Sequence, residues 1–366
     1  MSTPLTVHGS SRRSAAVRAP WPGNGFTLLE LMIALAIGAI AVLVSLTLFA
    51  RTREVYRINE QVARLQEHGR LAMAVIQPDV ELAGFYGFTR SPQTVRLIRS
   101  GDRENVIASA EQLRQFPLLP GGAAPVAIEG LPAGAHACGV NFAVDVWTPA
   151  QASNNTFALG RAATACNPYQ GRAQAGADTL TLRRVETQAV TAEANRLQLY
   201  ASLNTSQSAQ WMFADGNAPG PQDQHHRVHN VVVRTYYVAR DSVGRRDFPA
   251  LRVKSLTRSG AGLVFDDEEV MSGVEDLQVQ LGVGADASFN GRAVRYLDPD
   301  SPELPWLEIV AVRVWLRVRA DAPDVSFEDD RVYQYADVEF TPQGPERSFR
   351  RVLMSRTITL RNARPS

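Results

Sequence analysis

Hydrophobic and polar positions divide the chain into three kinds of stretch. From Leu31 to Ala50, twenty consecutive residues carry no charge. The segment 26–50 is long enough, as a helix, to cross about 30 Å of hydrocarbon. Beyond it, Val55, Ile58, Val62, Leu65, Ala72 and Ile76 recur at helical spacing, with Arg53, Glu60, Arg64, Glu67 and Arg70 on the other faces. That is one apolar stripe on a continuing amphipathic helix. No proline falls between Phe26 and Gln77, and Pro78 predicts the stop. About fifty helical residues would run roughly 75 Å. The first half needs lipid or other helices around it; the second needs a sheet to cover its stripe.

Residues 78–176 show little periodicity. Pieces rich in glycine, alanine and proline, such as Pro120–Pro125 and Gly130–Gly139, read as loops. From Asp178 the period changes to two. Leu180 and Leu182, Leu197 and Leu199, the run Val231–Val238, and Leu277, Val279, Leu281 and Val283 all predict strands. The cleanest alternation is Val310, Val312, Val314, Leu316 and Val318 against Ala311, Arg313, Trp315, Arg317 and Arg319, which predicts one buried and one wet face. Met354 to Leu360 suggests a last strand. The expected fold is α+β, with a long N-terminal helix packed on a mostly antiparallel β-rich head.

One charge interrupts the apolar front. Glu30 follows Gly25-Phe26-Thr27-Leu28-Leu29, and a lone acid in a membrane-length helix is costly enough to imply use. A cut after Gly25 would leave Phe26 with a free, positive α-amino group. Glu30 lies one helical turn further on, where its carboxylate can neutralise that amine or one on a neighbouring helix. It also suits the positive end of the helix dipole. An ordinary signal peptide has an apolar core of about 7–15 residues with its cleavage site behind it. Here the run is longer, and Arg51, Thr52, Arg53 and Glu54 follow it. A plain anchor leaves Glu30 and the Gly-Phe junction without a role.

Gly-Phe-Thr-Leu-Leu-Glu before a long apolar helix resembles the prepilin signal of type IV pilins and type II secretion pseudopilins. The resemblance implies Gly25 as the last leader residue, Phe26 as the N-methylated terminus and Glu30 as the assembly carboxylate. Further on, Gly273–Val283, Val310–Arg319 and Arg351–Asn362 resemble PilW-type minor pilins. Major pilins usually carry a helix-breaking proline in the membrane half, and this chain has none. The expected organisation is a leader (1–25), a transmembrane half-helix (26–50), an amphipathic half-helix (51–77) and an exported head (78–366), loop-rich over 78–176 and strand-rich over 178–362. Arg12, Arg13 and Arg18 in an acid-free leader keep it cytoplasmic. The head is then periplasmic on a single-pass inner-membrane anchor, later on the pilus and cell surface.

Composition narrows the remaining chemistry. Net charge is +1 for 366 residues; losing the 25-residue leader and its three arginines leaves 341 residues and −2. Such a balance gives no ground for a nucleic-acid partner. Cys138 and Cys166, an even pair in an exported segment, read as one disulfide, with two free buried thiols as the alternative. His225, His226 and His229 form a small cluster, with His226 and His229 able to share a helix face, but without the Glu of a metalloprotease motif they read as a solvated loop. Asp266, Asp267, Glu268 and Glu269 read as an exposed turn. Asp286, Ser288 and Asn290, with Gly291 sixth, copy the start of an EF-hand loop; Leu297 stands where the bidentate Glu belongs, so calcium competes with a polar hairpin. No nucleophile elbow, P-loop or dinucleotide fingerprint appears in a supporting context, so no catalytic residue, enzyme activity or cofactor is expected.

The expected function is that of a minor pilin of the type IV pilus, acting in assembly or priming at the tip. The resemblance implies as partners a prepilin peptidase, other minor and major pilins, and the inner-membrane assembly machinery. Alternatives are a type II secretion pseudopilin and a surface module binding DNA or a host.

Overall fold

A computed structural model describes residues 25–88, 95–97, 138, 142–146, 148–159, 166–203, 210–259, 262–284, 293–304 and 308–363. The chain forms two units, residues 1–59 and 60–366. Helix α1, Leu28–Leu82, contributes to both. In the first unit its side chains from Leu28 to Phe49 are bare, and an 18-residue window has mean hydropathy 2.7 with none of it buried. Ser45, Thr47 and Thr52 return their hydroxyls to carbonyls of the preceding turn, so no hydroxyl is left unpaired along that stretch.

In the second unit, Leu65, Gly69, Ala72, Met73, Ile76 and Val80 form the buried seam of α1. The predicted stripe residues Leu65, Ala72 and Ile76 lie in it. At Gly69 a Cβ would stand 2.2 Å from Met354 Sδ, so a larger residue would force the Met354 side chain to move. The helix does not stop at Pro78 as expected; it continues to Leu82. The residue after the proline explains this. Asp79 is buried and meets Arg184 and Arg234 at 2.9 Å each, and the Tyr236 hydroxyl at 2.6 Å. Tertiary anchoring of that turn offsets the backbone bond that proline removes. Gly84, at φ +77°, ends the run and donates its N–H to Arg183 O.

Fourteen strands follow among the described residues. The first sheet holds β1 (Val95–Leu97), β2 (Ala150–Ser153), β3 (Thr179–Val185), β4 (Ala194–Ser202), β5 (Gln210–Asp215), β6 (His226–Ala239), β7 (Ala250–Ser259) and β8 (Gly262–Ser272). Its order is β1-β5-β4-β6-β3-β2, with β7 also on β6 and β8 on β7; only β1–β5 is parallel. The second sheet has the order β10-β9-β11-β14, from β9 (Val274–Val283), β10 (Arg295–Leu297), β11 (Ile309–Arg319) and β14 (Arg351–Thr359). β12 (Tyr333–Tyr335) and β13 (Val338–Phe340) form a small hairpin.

The first sheet is buried on both faces, which explains the near-continuous apolar run in β6. One face, with Leu180, Leu182, Tyr236 and Val238, shares a core with the α1 seam and with Leu277, Val279, Val312, Val314 and Leu316 of the second sheet. The other face, with Leu197, Leu199, Val231 and Val233, packs on Phe142, Phe157 and the two cysteines.

Two sequence expectations are corrected here. The outer face of β11 is not uniformly wet: Arg313 and Trp315 are half-buried, but Arg317 and Arg319 are buried. Arg317 meets Glu275 at 2.6 Å, Arg319 meets Glu346 at 3.0 Å, and Arg351 joins both acids. Residues of the 321–350 segment, with Tyr335 at Asp276, cover that end of the strand. Asp266–Glu269 is not a turn but the middle of β8. Asp267 is satisfied there by Arg252 at 2.8 Å and Lys254 at 2.9 Å on β7.

Asp178 joins the two sheets. Its N–H donates to Leu277 O, and its carboxylate accepts the N–H groups of Asn155 at 2.7 Å and Val279 at 2.8 Å. Burial pushes its pKa up to about 7, with Asp276 and Asp337 adding to the rise against these two bonds. Folded Asp178 thus keeps its proton up to about pH 7, whereas the unfolded side chain releases it near 4. Stability from this group is present in acid, falls as pH rises through that window and levels above it. Melting curves of the full chain in detergent from pH 4 to 8 should show the decline, and Asp178→Asn should flatten it while lowering Tm. An equal slope in the variant would count against Asp178 as its source. Asp79→Ala strands two guanidinium groups and a phenol. Chemical denaturation should show a loss of about 3 kcal/mol, smaller for Asp79→Asn.

Candidate processing and assembly site

The N-terminal motif is built on a helix start. Gly25, Phe26 and Thr27 are non-helical, and α1 opens at Leu28. Thr27 is the N-cap: its carbonyl accepts Leu31 N–H at 3.1 Å, and its hydroxyl accepts Glu30 N–H at 3.2 Å. Glu30 answers, its Oε2 accepting the Thr27 N–H at 3.2 Å and the Thr27 hydroxyl at 3.3 Å. This is a reciprocal capping box of Thr and Glu three apart. The signal for Thr27, which charge patterning does not single out, is the Thr-x-x-Glu spacing of residues 27 and 30. The arrangement holds the carboxylate back over the first turn, at the Thr27 N–H, with Phe26 89% exposed.

Cys138 and Cys166 are bonded in the structure, with Cα atoms 5.2 Å apart. Both are buried beside Phe142 and Phe157. The three histidines do not converge, and the loop expected for them holds for neither His226 nor His229, which lie on β6. His229 is buried, its Nδ1 2.9 Å from Glu186 O and its ring against Gly87 at φ +62°; burial lowers its pKa. His226 pairs with Asp223 at 2.9 Å and stacks on Tyr200. The calcium candidates Asp286, Ser288 and Asn290 lie outside the described residues. Among the described residues, no three His, Cys, Asp or Glu side chains are grouped to hold a metal ion.

Comparison with known proteins bears on both ends of the chain. The prokaryotic N-terminal methylation motif matches residues 24–50, and the family described as Type IV Pilus-assembly protein W matches residues 235–362. Pilin-like protein PilA3 of Thermus thermophilus is 37% identical over 61 residues, 17% of this chain and 26% of that protein. The chain thus spans about a quarter of that relative's length. A solved type IV-like pilin from Thermus thermophilus is 15% identical, covering 54% of this chain and 82% of its own, at a TM-score of 0.26. With the methylation motif at the head of a bare apolar helix and a β-rich second unit, the chain is a type IV pilin-like protein. The W-family match, which runs from within β6 to β14, supports a type IV minor pilin.

Thr27→Ala removes the cap and the partner of Glu30. A loss of about 1 kcal/mol in the first turn is expected. Amide exchange at Leu29, Glu30 and Leu31 in micelles should speed up about fivefold, with exchange in the second unit unchanged.

Proposed function

We propose that the chain is cut between Gly25 and Phe26 by a prepilin peptidase, methylated at Phe26, and drawn from the inner membrane into a type IV pilus through α1. The observation that carries this reading is the methylation motif, with Glu30 held over the first turn by Thr27 at the start of a bare, uncharged helix. Before the cut, the carboxylate is satisfied by Thr27. After it, the Phe26 amine competes for the same oxygens from four residues away, and a neighbouring subunit's amine can do so as well. The pairing removes two unmatched charges from hydrocarbon at once, which favours subunit stacking over dispersal in the bilayer.

The arginine-bearing leader favours a cytoplasmic start and a periplasmic head. The W-type match favours a place among minor pilins that prime assembly at the tip, together with major pilins and the inner-membrane machinery. The Cys138–Cys166 bond suits an oxidising compartment.

Mass spectrometry of the chain from sheared filaments should find a terminus at methylated Phe26; recovery of the intact leader from filaments would contradict the reading. Glu30→Gln and Glu30→Ala should insert in the membrane at normal levels and enter filaments at least tenfold less.

A further inference from the structure

The second sheet ends on a long open edge. β14 pairs with β11 over all nine of its residues, Arg351 to Thr359, without a bulge. Among the described residues, no strand pairs with its other side. Leu360 N–H donates to Val310 O, and Arg350 O accepts from Ala320 N–H. The even-numbered residues therefore carry the ladder bonds. By the alternation of an antiparallel pair, the N–H and C=O groups of Leu353, Ser355 and Thr357 point away from β11. The edge is closed at both ends: Arg331 donates to Arg351 O at 3.2 Å, and Arg361 N–H to Glu81 O at 3.0 Å. In between, those six backbone groups have no bonded partner among the described residues, and Ser355, Arg356 and Thr357 are exposed.

The surroundings of the edge point to an occupant. A groove of about 420 Å³, lined by Val62, Leu65, Phe327 and Val352 and by the charged residues at 328–331 and 350–351, flanks one end of the strand. Another of about 400 Å³, lined by Gln77, Glu81, Arg356 and Thr357, flanks the other end. Arg356 is the one charge between Val352 and Thr359, and it bonds the neutral amide of Gln77. The other long edge, β8, presents the exposed acids Asp266 and Glu268, a device that keeps strands off. β14 has no proline, bulge or acid to repel one.

We propose that the open edge of β14 is a docking site for an extended, carboxylate-bearing segment of a different subunit, which adds to the second sheet as a fifth strand with its acid at Arg356. Main-chain bonds to Leu353, Ser355 and Thr357 supply affinity, and the flanking grooves and Arg356 supply selectivity. The proposal is independent of incorporation into a filament, since peptide binding is measured on the isolated chain.

The test uses the full chain in detergent micelles and a labelled peptide with the sequence of residues 262–272, an acidic strand of known propensity. Fluorescence anisotropy should show saturable binding that weakens with salt. Ser355→Pro removes one outward N–H and no ladder bond, and should weaken binding at least tenfold, as should Arg356→Glu. Peptide should slow amide exchange at Leu353, Ser355 and Thr357, but not at Met354 and Arg356, whose N–H groups are already bonded. This readout on the unmutated chain stands even where the proline variant folds poorly. Absent binding, equal binding by Arg356→Glu, or unchanged exchange at the three outward amides overturns the site. Self-association of the chain that Arg356→Glu abolishes would make a second copy the occupant, and so overturn the assignment to a different subunit.

Discussion

Burial of one helical seam, Leu65 to Val80, holds the second unit together. Its residues share a single core with Leu180, Leu182 and Tyr236 of the first sheet and with Leu277, Val314 and Leu316 of the second. Neither sheet covers its inner face without the other and the helix. Close approach at Gly69, against Met354 and Val318, is what lets the helix fill that space. The turn after Pro78 is kept by Asp79, whose three polar partners come from β3 and β6. Helix and sheet thus specify each other.

Charge is used in two opposite ways along the chain. In the second unit, buried arginines are paired more than once: the buried Glu275 takes both Arg317 and Arg351, and the exposed Glu346 takes Arg319 and Arg351. Such networks contribute modest net stability but are costly to break. They fasten the 321–350 segment over the outer face of β11 and β14. At the apolar front of α1 a single acid, Glu30, stands before twenty uncharged residues. Its capping box with Thr27 keeps the carboxylate matched by local donors while no amine is present. Under the proposed processing, a cation made by proteolysis would replace that local partner, which would link the chemistry of one peptide bond to helix packing.

The strong periods were legible in the chain. The strand Ile309–Arg319 takes in the predicted alternation from Val310 to Arg319, and the uncharged run, the motif around Gly25 and the Leu65, Ala72 and Ile76 part of the stripe are local facts of composition and spacing, whereas Val55 and Val62 are exposed. The errors share one cause. Alternation alone predicts Arg317 and Arg319 on a wet face, and a run of four acids predicts a turn at Asp266–Glu269; neither signal carries the partners that packing supplies. In the structure Arg317 and Arg319 meet Glu275 and Glu346, and Asp267 and Glu269 meet Arg252 and Lys254, while Asp266 and Glu268 stay exposed on the strand. His229, expected in a solvated loop for want of a metalloprotease motif, is buried on β6 against Gly87 and Glu186.

By itself, then, the sequence determined what depends on near neighbours: an apolar helix of membrane length, a cap and carboxylate at its start, and strands with a buried face. Only the tertiary structure decided that α1 survives Pro78, that Asp178 ties one sheet to the other, which charges are buried, and that β14 is left with an open edge. These rest on contacts between residues far apart in the chain, whose favourable energies come into being only when packing brings the partners within bonding distance.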